Sequence, residues 1–190
     1  MGKKHESEEV LSQLRSIYNS YHNCKSITDF NPSFLKVSRQ STVIGFSVFV
    51  RSSNYEETYR EVLEKGQYFL RLIDDSLIML SYSFDKKGCI AKHTLSFLPS
   101  IETDKQYFRF DYSLGEMDDS FHSPTHMHLF LENENCRIPV DSVIYPFDFL
   151  YFILKYLYLD SSKFMETLKK SDNRKTLVKK EFERFFIRVC

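Results

Sequence analysis

The sequence has no tryptophan, and its 190 residues include only five glycines and five prolines. So little glycine and proline, together with a hydrophobic fraction of 42%, excludes a low-complexity or disordered chain. The 18 phenylalanines and 12 tyrosines are expected to supply much of the core. A chain of this length can bury a core without disulfides, so we predict a single domain over residues 1–190.

The chain has no excess of charge of either sign, because 26 lysines and arginines balance 26 aspartates and glutamates. Its overall charge therefore does not draw it to nucleic acid or to a membrane. The local exception is a basic stretch at residues 169–188. We predict that this stretch is a solvent-exposed helix face, and the alternative is a surface for nucleic acid or an acidic partner.

Cysteine is scarce and widely spaced, at positions 24, 89, 136 and 190. No two cysteines form a C-x-x-C pair, which excludes a zinc ribbon and a dithiol redox motif. The longest apolar run, residues 145–159, is interrupted by charged residues and is too short to cross a bilayer. The first ten residues lack the apolar region of a signal peptide. We therefore expect a cytoplasmic protein with free thiols and no membrane association.

Several common enzyme motifs are also absent. The sequence has no P-loop, no G-x-S-x-G turn, no H-E-x-x-H motif and no glycine-rich dinucleotide turn. These absences exclude the usual P-loop NTPases, α/β-hydrolases, zinc metalloproteases and Rossmann dehydrogenases.

Hydrophobic periodicity and turn residues divide the chain into elements. The spacing predicts helices over 7–23, 54–65, 146–159, about 161–170 and 174–188. It predicts strands over 42–51, 67–73, 77–84, 89–98, 106–113 and 125–131, with a short edge strand or connector at 136–140. Residues 26–40 and 114–124 are expected to be irregular.

These elements predict an α+β fold. An antiparallel sheet of about five or six strands, within residues 42–140, is expected to pack against N-terminal and C-terminal helices. The C-terminal helical segment spans about 146–188, and its first helix is apolar nearly all round, which is typical of a buried helix. Turns at Asp74-Asp75-Ser76 and Lys86-Lys87-Gly88 would join consecutive strands.

One region concentrates titratable side chains. Three of the six histidines, His122, His126 and His128, lie within seven residues. His126 and His128 are two residues apart, so on a strand both project from the same face. Arg109 and Asp111 share a face of the preceding strand in the same way, and consecutive strands usually pair. We therefore expect these polar faces to lie side by side.

Three interpretations of this region remain open. In the first, His122, His126 and His128 bind zinc, with Asp111 as a fourth ligand or as a carboxylate behind the ligands. In the second, which needs no cofactor, one of His126 and His128 is a general base and the other a general acid. Arg109 and Arg137 then hold a phosphate, with His122 and Asp111 in support, and such a set suits cleavage of RNA through its 2′-hydroxyl. In the third, the histidines are structural and bond backbone carbonyls and carboxylates.

Six segments along the chain occur in a distinctive order. They are residues 72–77, 81–84, 93–100, 109–112, 122–128 and 137–139. Together they resemble a family of bacterial proteins of unknown function, the DUF2290 type, and the histidine block with the later Arg-Ile-Pro is the most specific part. The sequence differs from the expected pattern at two turns, because Asp75 stands in place of glycine and Ile101 in place of proline.

The resemblance supplies no activity, because this family has no established one. A meander followed by a histidine-rich strand is also similar to small toxins of bacterial toxin–antitoxin modules, which implies a stand-alone intracellular protein from a defence-related locus. The resulting hypothesis is a bacterial defence or toxin-type protein that acts on RNA or another phosphate-bearing partner through His126, His128, Arg109 and Arg137. The alternative is a non-catalytic interaction module or accessory subunit that docks a partner protein encoded nearby.

Overall fold

The computed structural model describes the backbone of residues 6–35, 42–46, 50, 54–113, 125–131, 134–140, 143–160 and 163–166. Side chains are described for the same residues except 130, 131, 134–137 and 139. The loop expected over 114–124, which contains His122, and the basic stretch 169–188 lie outside the described residues.

The described part of the chain has one helix before a series of eight strands, one after it, and one between the second and third strands. The helices are α1 (Glu6–Ser20), α2 (Tyr55–Glu64) and α3 (Pro146–Tyr156). The strands are β1 (Ile27–Phe30), β2 (Val43–Gly45), β3 (Leu70–Leu72), β4 (Leu77–Phe84), β5 (Ile90–Leu98), β6 (Phe108–Ser113), β7 (Thr125–Leu131) and β8 (Glu134–Val140). Residues 163–166 are also helical, within the helix expected over 161–170. In the described ranges no helix has the length and apolar character needed to cross a membrane.

All pairings in the sheet are antiparallel, and the predicted α+β class is confirmed. The strand order is β1-β3-β4-β5-β6-β7-β8. β2 is outside this order: it pairs with the C-terminal half of β4, and β3 pairs with the N-terminal end of β4. The eight strands found in the described residues outnumber the five or six expected. The difference arises at the ends of the order: β1 lies in a stretch expected to be irregular, and β8 is a full strand that pairs with β7 along its whole length.

Two tight turns set the register of the central meander. Asp75 has a φ of +65°, a left-handed conformation that aspartate tolerates, and Oδ1 of Asp74 accepts the N–H of Ser76 at 3.1 Å. The turn therefore forms without the glycine expected at position 75. In the next turn, Gly88 has a φ of +73° and Oδ1 of Asp85 accepts two main-chain N–H groups. Both predicted turns are confirmed.

The short strand β2 depends on one glycine. Gly45 has a φ of +88°, and a Cβ atom built there would lie 2.0 Å from the carbonyl oxygen of Leu80. Only glycine allows this approach and this conformation. The predicted strand over 42–51 is observed only as Val43–Gly45 in the described residues, and residues 47–49 are not described.

The two faces of the sheet are covered by different helices. On one face, α1 and α3 pack against the sheet in the main core, where Leu14, Leu95 and Ile153 have no exposed surface. Fully burying one such side chain contributes roughly 2 kcal/mol. On the opposite face, Val62 of α2 packs against Leu77 at the start of β4 and against the end of β5. The expected packing of the sheet against N-terminal and C-terminal helices is confirmed, and α2 adds cover on the second face.

Buried polar contacts determine where α3 begins. The N–H of Phe147 donates to Oε1 of Gln13 at 2.9 Å, which ties α3 to α1. The N–H of Ile144 donates to Nε2 of His93 at 3.2 Å, and its carbonyl accepts a 2.9 Å bond from the hydroxyl of Tyr82. Gln13, His93 and Tyr82 are at most 1% exposed. These bonds form away from water, so losing one leaves a costly unpaired group.

Candidate functional site

Strands β6 and β7 bring four polar side chains together on the sheet face opposite α1 and α3. The antiparallel register pairs Arg109 with His128 and Asp111 with His126. The residues that alternate with them on both strands belong to the main core, so these four project from the other face. We call Arg109, Asp111, His126 and His128 the His–Asp cluster. The expected pairing of these strands and their shared polar face are both observed.

One carboxylate oxygen lies at the centre of the His–Asp cluster. Oδ2 of Asp111 lies 2.8 Å from Nε of Arg109 and 3.2 Å from Nε2 of His128. The imidazole rings of His126 and His128 have centroids 4.7 Å apart and planes inclined at 63°. An aspartate is thus flanked by a permanent cation and an imidazole, with a second imidazole against the first.

The His–Asp cluster is largely buried. His126 is 8% exposed and His128 is 3% exposed. The side chains of Arg109 and Asp111 are 13% and 19% exposed. The sequence predicts a polar face on these strands, but no local pattern in it predicts that this face is buried. Burial matters because charges and hydrogen bonds inside a protein are far stronger than at its surface.

Asp111 is negatively charged at neutral pH despite its burial. Burial by itself raises the pKa of the carboxyl, but the contacts with His128 and Arg109 outweigh this effect and hold the pKa below its ordinary value. The negative charge of Asp111 therefore balances the positive charge of Arg109 inside the cluster. Its carboxylate is also in the form that can orient an imidazole or bind a metal ion.

Several buried atoms of the cluster have no hydrogen bond within the described part of the chain. They are Oδ1 of Asp111 and both ring nitrogens of His128. The 3.2 Å approach of Nε2 to Oδ2 of Asp111 is a close contact between a possible cation and an anion, but it lacks the alignment of a hydrogen bond. Buried polar atoms of native proteins are nearly always paired with protein, water or a ligand, so these three atoms need an explanation.

Asp111, His126 and His128 have the geometry of a possible metal site. Each offers one ligand atom, and the three atoms all lie within 4.8 Å of one another. In this set Asp111 takes the place that the sequence analysis assigned to His122, which lies outside the described residues. The set of two imidazoles and one carboxylate matches a known class of metal sites with open coordination positions.

Of the other predicted site residues, Arg137 is placed by its backbone alone. The register of β7 and β8 pairs Arg137 with His128, so its backbone is next to the His–Asp cluster. The sequence did not identify two further polar residues that lie next to the His–Asp cluster. Thr94 pairs with Asp111 and Ser96 pairs with Arg109 in the register of β5 and β6. Small polar residues within a strand carry no sequence signal of their own, so only the sheet register identifies them.

His93 is a buried histidine with a different role. It lies on the core face, where its ring stacks on Tyr112 with centroids 5.4 Å apart. Burial lowers the pKa of His93 to about 3, although the charge of Asp111 acts in the opposite direction. His93 is therefore neutral, and its Nε2 serves as the acceptor for the N–H of Ile144. It holds the start of α3 rather than contributing to the cluster.

The arrangement supports two kinds of chemistry. An imidazole held next to a carboxylate can act as a general acid or a general base, because the carboxylate orients the ring. One imidazole could then act as the general base and the other as the general acid. The same atoms could instead bind a divalent cation, which would use the lone pairs of the imidazoles and leave them unable to take up protons.

Comparison with known proteins identifies the family to which the chain belongs. No curated protein and no solved structure shows significant similarity to the chain. Residues 17–107 and 101–189, however, both match one family model. The matched residues extend from within α1 through all eight strands and α3, and they include the His–Asp cluster. The resemblance found in the sequence is thereby confirmed, and the chain belongs to the family described as uncharacterized conserved protein (DUF2290).

Proposed function

We propose that this protein acts on RNA or another phosphate-bearing partner through the His–Asp cluster, as a defence or toxin-type protein of the bacterial cytoplasm. The observation that carries the proposal is the contact of Asp111 with both Arg109 and His128 in a buried site, with His126 beside them. A site of this kind serves chemistry that moves protons or stabilises negative charge.

Phosphate chemistry suits this set of groups better than other reactions. Cleavage of a phosphodiester develops negative charge on phosphate oxygens and needs groups that activate the nucleophile and release the leaving oxygen. Arg109 supplies a permanent positive charge, and His126 and His128 supply nitrogens that bind protons or metal ions. Arg137 lies at the next register position and is the candidate for a second cation.

The alternative function is a non-catalytic interaction module or accessory subunit of a defence complex, in which the His–Asp cluster is structural. The specific observation in its favour is burial, because His126 and His128 are both less than one-tenth exposed. Side chains with so little exposed surface offer a large partner little to contact. In this case the cluster would stabilise the sheet, and the partner would bind elsewhere.

Induced expression in a bacterial host separates the two functions. The wild type is compared with the double variant His126→Ala/His128→Ala and with His22→Ala, which removes an exposed histidine in the turn after α1. Growth and the integrity of total RNA are followed after induction. Thermal unfolding of each purified protein shows whether it folds, and His128→Asn provides a milder variant if the double variant does not.

The proposal expects growth arrest and RNA loss with the wild type and with His22→Ala, and neither with the folded cluster variants. Unimpaired growth and intact RNA in all strains would refute the toxin-type function. If the cluster variants arrest growth as strongly as the wild type, the cluster is not the active site. A large fall in melting temperature together with unimpaired growth in all strains would favour the structural alternative.

A further inference from the structure

We infer that Asp111, His126 and His128 form a binding site for one divalent transition-metal ion, with the oxygen of a phosphate group as a further ligand. The inference deepens the proposed function, on which its phosphate ligand rests, by naming the ion through which the His–Asp cluster would bind phosphate. The metal ion itself is inferred from the geometry alone, so the two proposals can fail separately.

The sheet provides the arrangement of ligands. Asp111 and His126 are directly opposite each other on β6 and β7, and His128 is two residues further along β7. Opposite residues have Cβ atoms about 5 Å apart, and residues i and i+2 lie on one face of a strand, so three such side chains form a compact triangle. The ligand atoms are indeed within 4.8 Å of one another. They all stand on paired strands, which hold them more rigidly than loops would.

The distances are compatible with a single ion. Zinc binds nitrogen and carboxylate oxygen at about 2.0 to 2.2 Å, so two ligands of one ion lie roughly 3 to 3.5 Å apart in tetrahedral or octahedral geometry. Oδ2 of Asp111 and Nε2 of His128 are 3.2 Å apart. The ring of His126 is tilted at 63° to the ring of His128 and does not stack flat on it. A small movement of these side chains would bring all three ligand atoms to an ion between them.

The unpaired buried atoms supply an independent reason to place a ligand here. In the described part of the chain, both nitrogens of His128 and Oδ1 of Asp111 are inaccessible and make no hydrogen bond. His128 is 3% exposed, so bulk water does not compensate for the missing bonds. A metal ion satisfies an imidazole lone pair and a carboxylate oxygen at the same time. A buried water molecule is the competing occupant, because it also needs two to four polar partners.

Charge indicates what completes the coordination. Asp111 forms an ion pair with Arg109 at 2.8 Å, so their charges cancel, and a divalent ion bound by neutral imidazoles brings the cluster to a net charge of about +2. An excess of buried positive charge is costly unless an anion accompanies it. A phosphate oxygen at the open coordination position would supply the anion, and Arg109 would be near enough to support it. The imidazoles then act as ligands rather than as acid and base.

Metal binding is measured directly on the full chain. The purified protein is stripped with EDTA, which is then removed, and it is titrated with zinc chloride by calorimetry. Elemental analysis gives the stoichiometry after dialysis. The same measurements are made on Asp111→Asn, His126→Ala and His128→Ala. Two matched controls remove exposed potential ligands outside the cluster, His22→Ala and Cys89→Ser.

We expect about one zinc ion per chain, binding at least tenfold weaker in each cluster variant, and unchanged binding in both controls. The melting temperature of the wild type should rise on adding zinc, because a ligand that binds only the folded state stabilises it. Cobalt substitution gives a visible absorption band that should disappear in His128→Ala. If a cluster variant is not folded by circular dichroism, His128→Asn replaces it, since asparagine keeps the polarity and loses the imidazole ligand.

Three results of the binding measurements would overturn the inference. They are no zinc binding to the wild type, binding that the cluster variants retain, and binding that His22→Ala or Cys89→Ser abolishes. RNA cleavage by the stripped protein that still requires His126 would also overturn it, while supporting the proposed function. Stoichiometric zinc that depends on the cluster, in a protein that leaves RNA and growth unaffected, would uphold the metal site and refute the proposed function. Inorganic phosphate should bind the zinc form more tightly than the stripped form.

Discussion

Replacing Asp111 by asparagine tests the electrostatics of the His–Asp cluster. The variant keeps the shape of the side chain but removes the charge that contacts Arg109 and His128 at 2.8 and 3.2 Å. Removing one partner of a fully buried ion pair costs about 3 to 5 kcal/mol, whereas an exposed ion pair contributes about 0 to 1 kcal/mol, and the 19% exposure of the Asp111 side chain places its ion pair between these limits. We expect a loss of about 2 kcal/mol, which for a chain of this size lowers the melting temperature by roughly 4 to 8 °C.

The pH dependence of this loss is specific to the charge. The pKa of Asp111 is lower in the folded protein than the ordinary value, so its contribution to stability is present above about pH 4 and is lost as the pH falls through the folded pKa. The difference between wild type and Asp111→Asn should therefore be full at pH 7 and shrink in acid. Thermal and urea unfolding in EDTA measure it without any metal ion.

The matched control is Asp104→Asn, which removes an exposed carboxylate from the segment before β6. Its stability should stay within about 0.5 kcal/mol of the wild type at every pH. The electrostatic argument fails if Asp111→Asn is as stable as the wild type at pH 7. It also fails if the difference between the two proteins persists unchanged below the folded pKa, because a shape effect would then explain it.

Three further predictions concern residues outside the cluster. His93→Gln should remove part of the acid sensitivity of the fold. The reason is that a histidine whose pKa is lowered to about 3 in the folded protein reduces stability as the pH falls from 6.5 towards 3. Urea unfolding of the wild type and the variant at pH 7 and pH 5 measures the effect. Gly45→Ala should lower stability by roughly 2 kcal/mol or more, since its Cβ would collide with a carbonyl oxygen at a φ of +88°; no fall in melting temperature would contradict this. Iodoacetamide should label the exposed Cys89 but not Cys24, whose burial raises the pKa of its thiol to about 12; mass spectrometry of the folded and urea-unfolded protein checks this, and rapid labelling of Cys24 in the folded protein would contradict it.

The elements with strong local patterns agree with the sequence predictions. The apolar run that starts at Pro146 forms the buried helix α3, and Asp74 and Asp75 form the turn expected between β3 and β4. Alternation correctly grouped Arg109 with Asp111 on β6 and His126 with His128 on β7, and both pairs lie on the same face of the sheet. Each of these features depends on residues a few positions apart, which is why periodicity and turn chemistry were sufficient.

One strand was missed and another was expected to be shorter, and both depend on pairing with a neighbouring strand of the sheet. β1 is a strand because Ile27 and Phe30 pair with β3, which lies some 40 residues further along the chain. β8 was expected only as a short edge strand or connector over 136–140, and it extends over seven residues because it pairs with β7 along its whole length. Neither stretch has a strong alternating pattern of its own, and strand propensity is weak compared with pairing and burial. Short strands of this kind are recognised only when their partners are known.

The sequence by itself determined the α+β class, the turns, the buried helix α3 and the choice of His126, His128, Arg109 and Asp111 as the candidate site. These follow from local periodicity and residue chemistry. Only the tertiary structure decided that Asp111 is the residue opposite His126, that the cluster is buried, and that Thr94 and Ser96 line its neighbourhood. Register and enclosure are set by contacts between different strands and helices, and not by the local pattern within any one of them. For that reason the chemistry of the cluster could be foreseen as a set of residues, but its geometry could not.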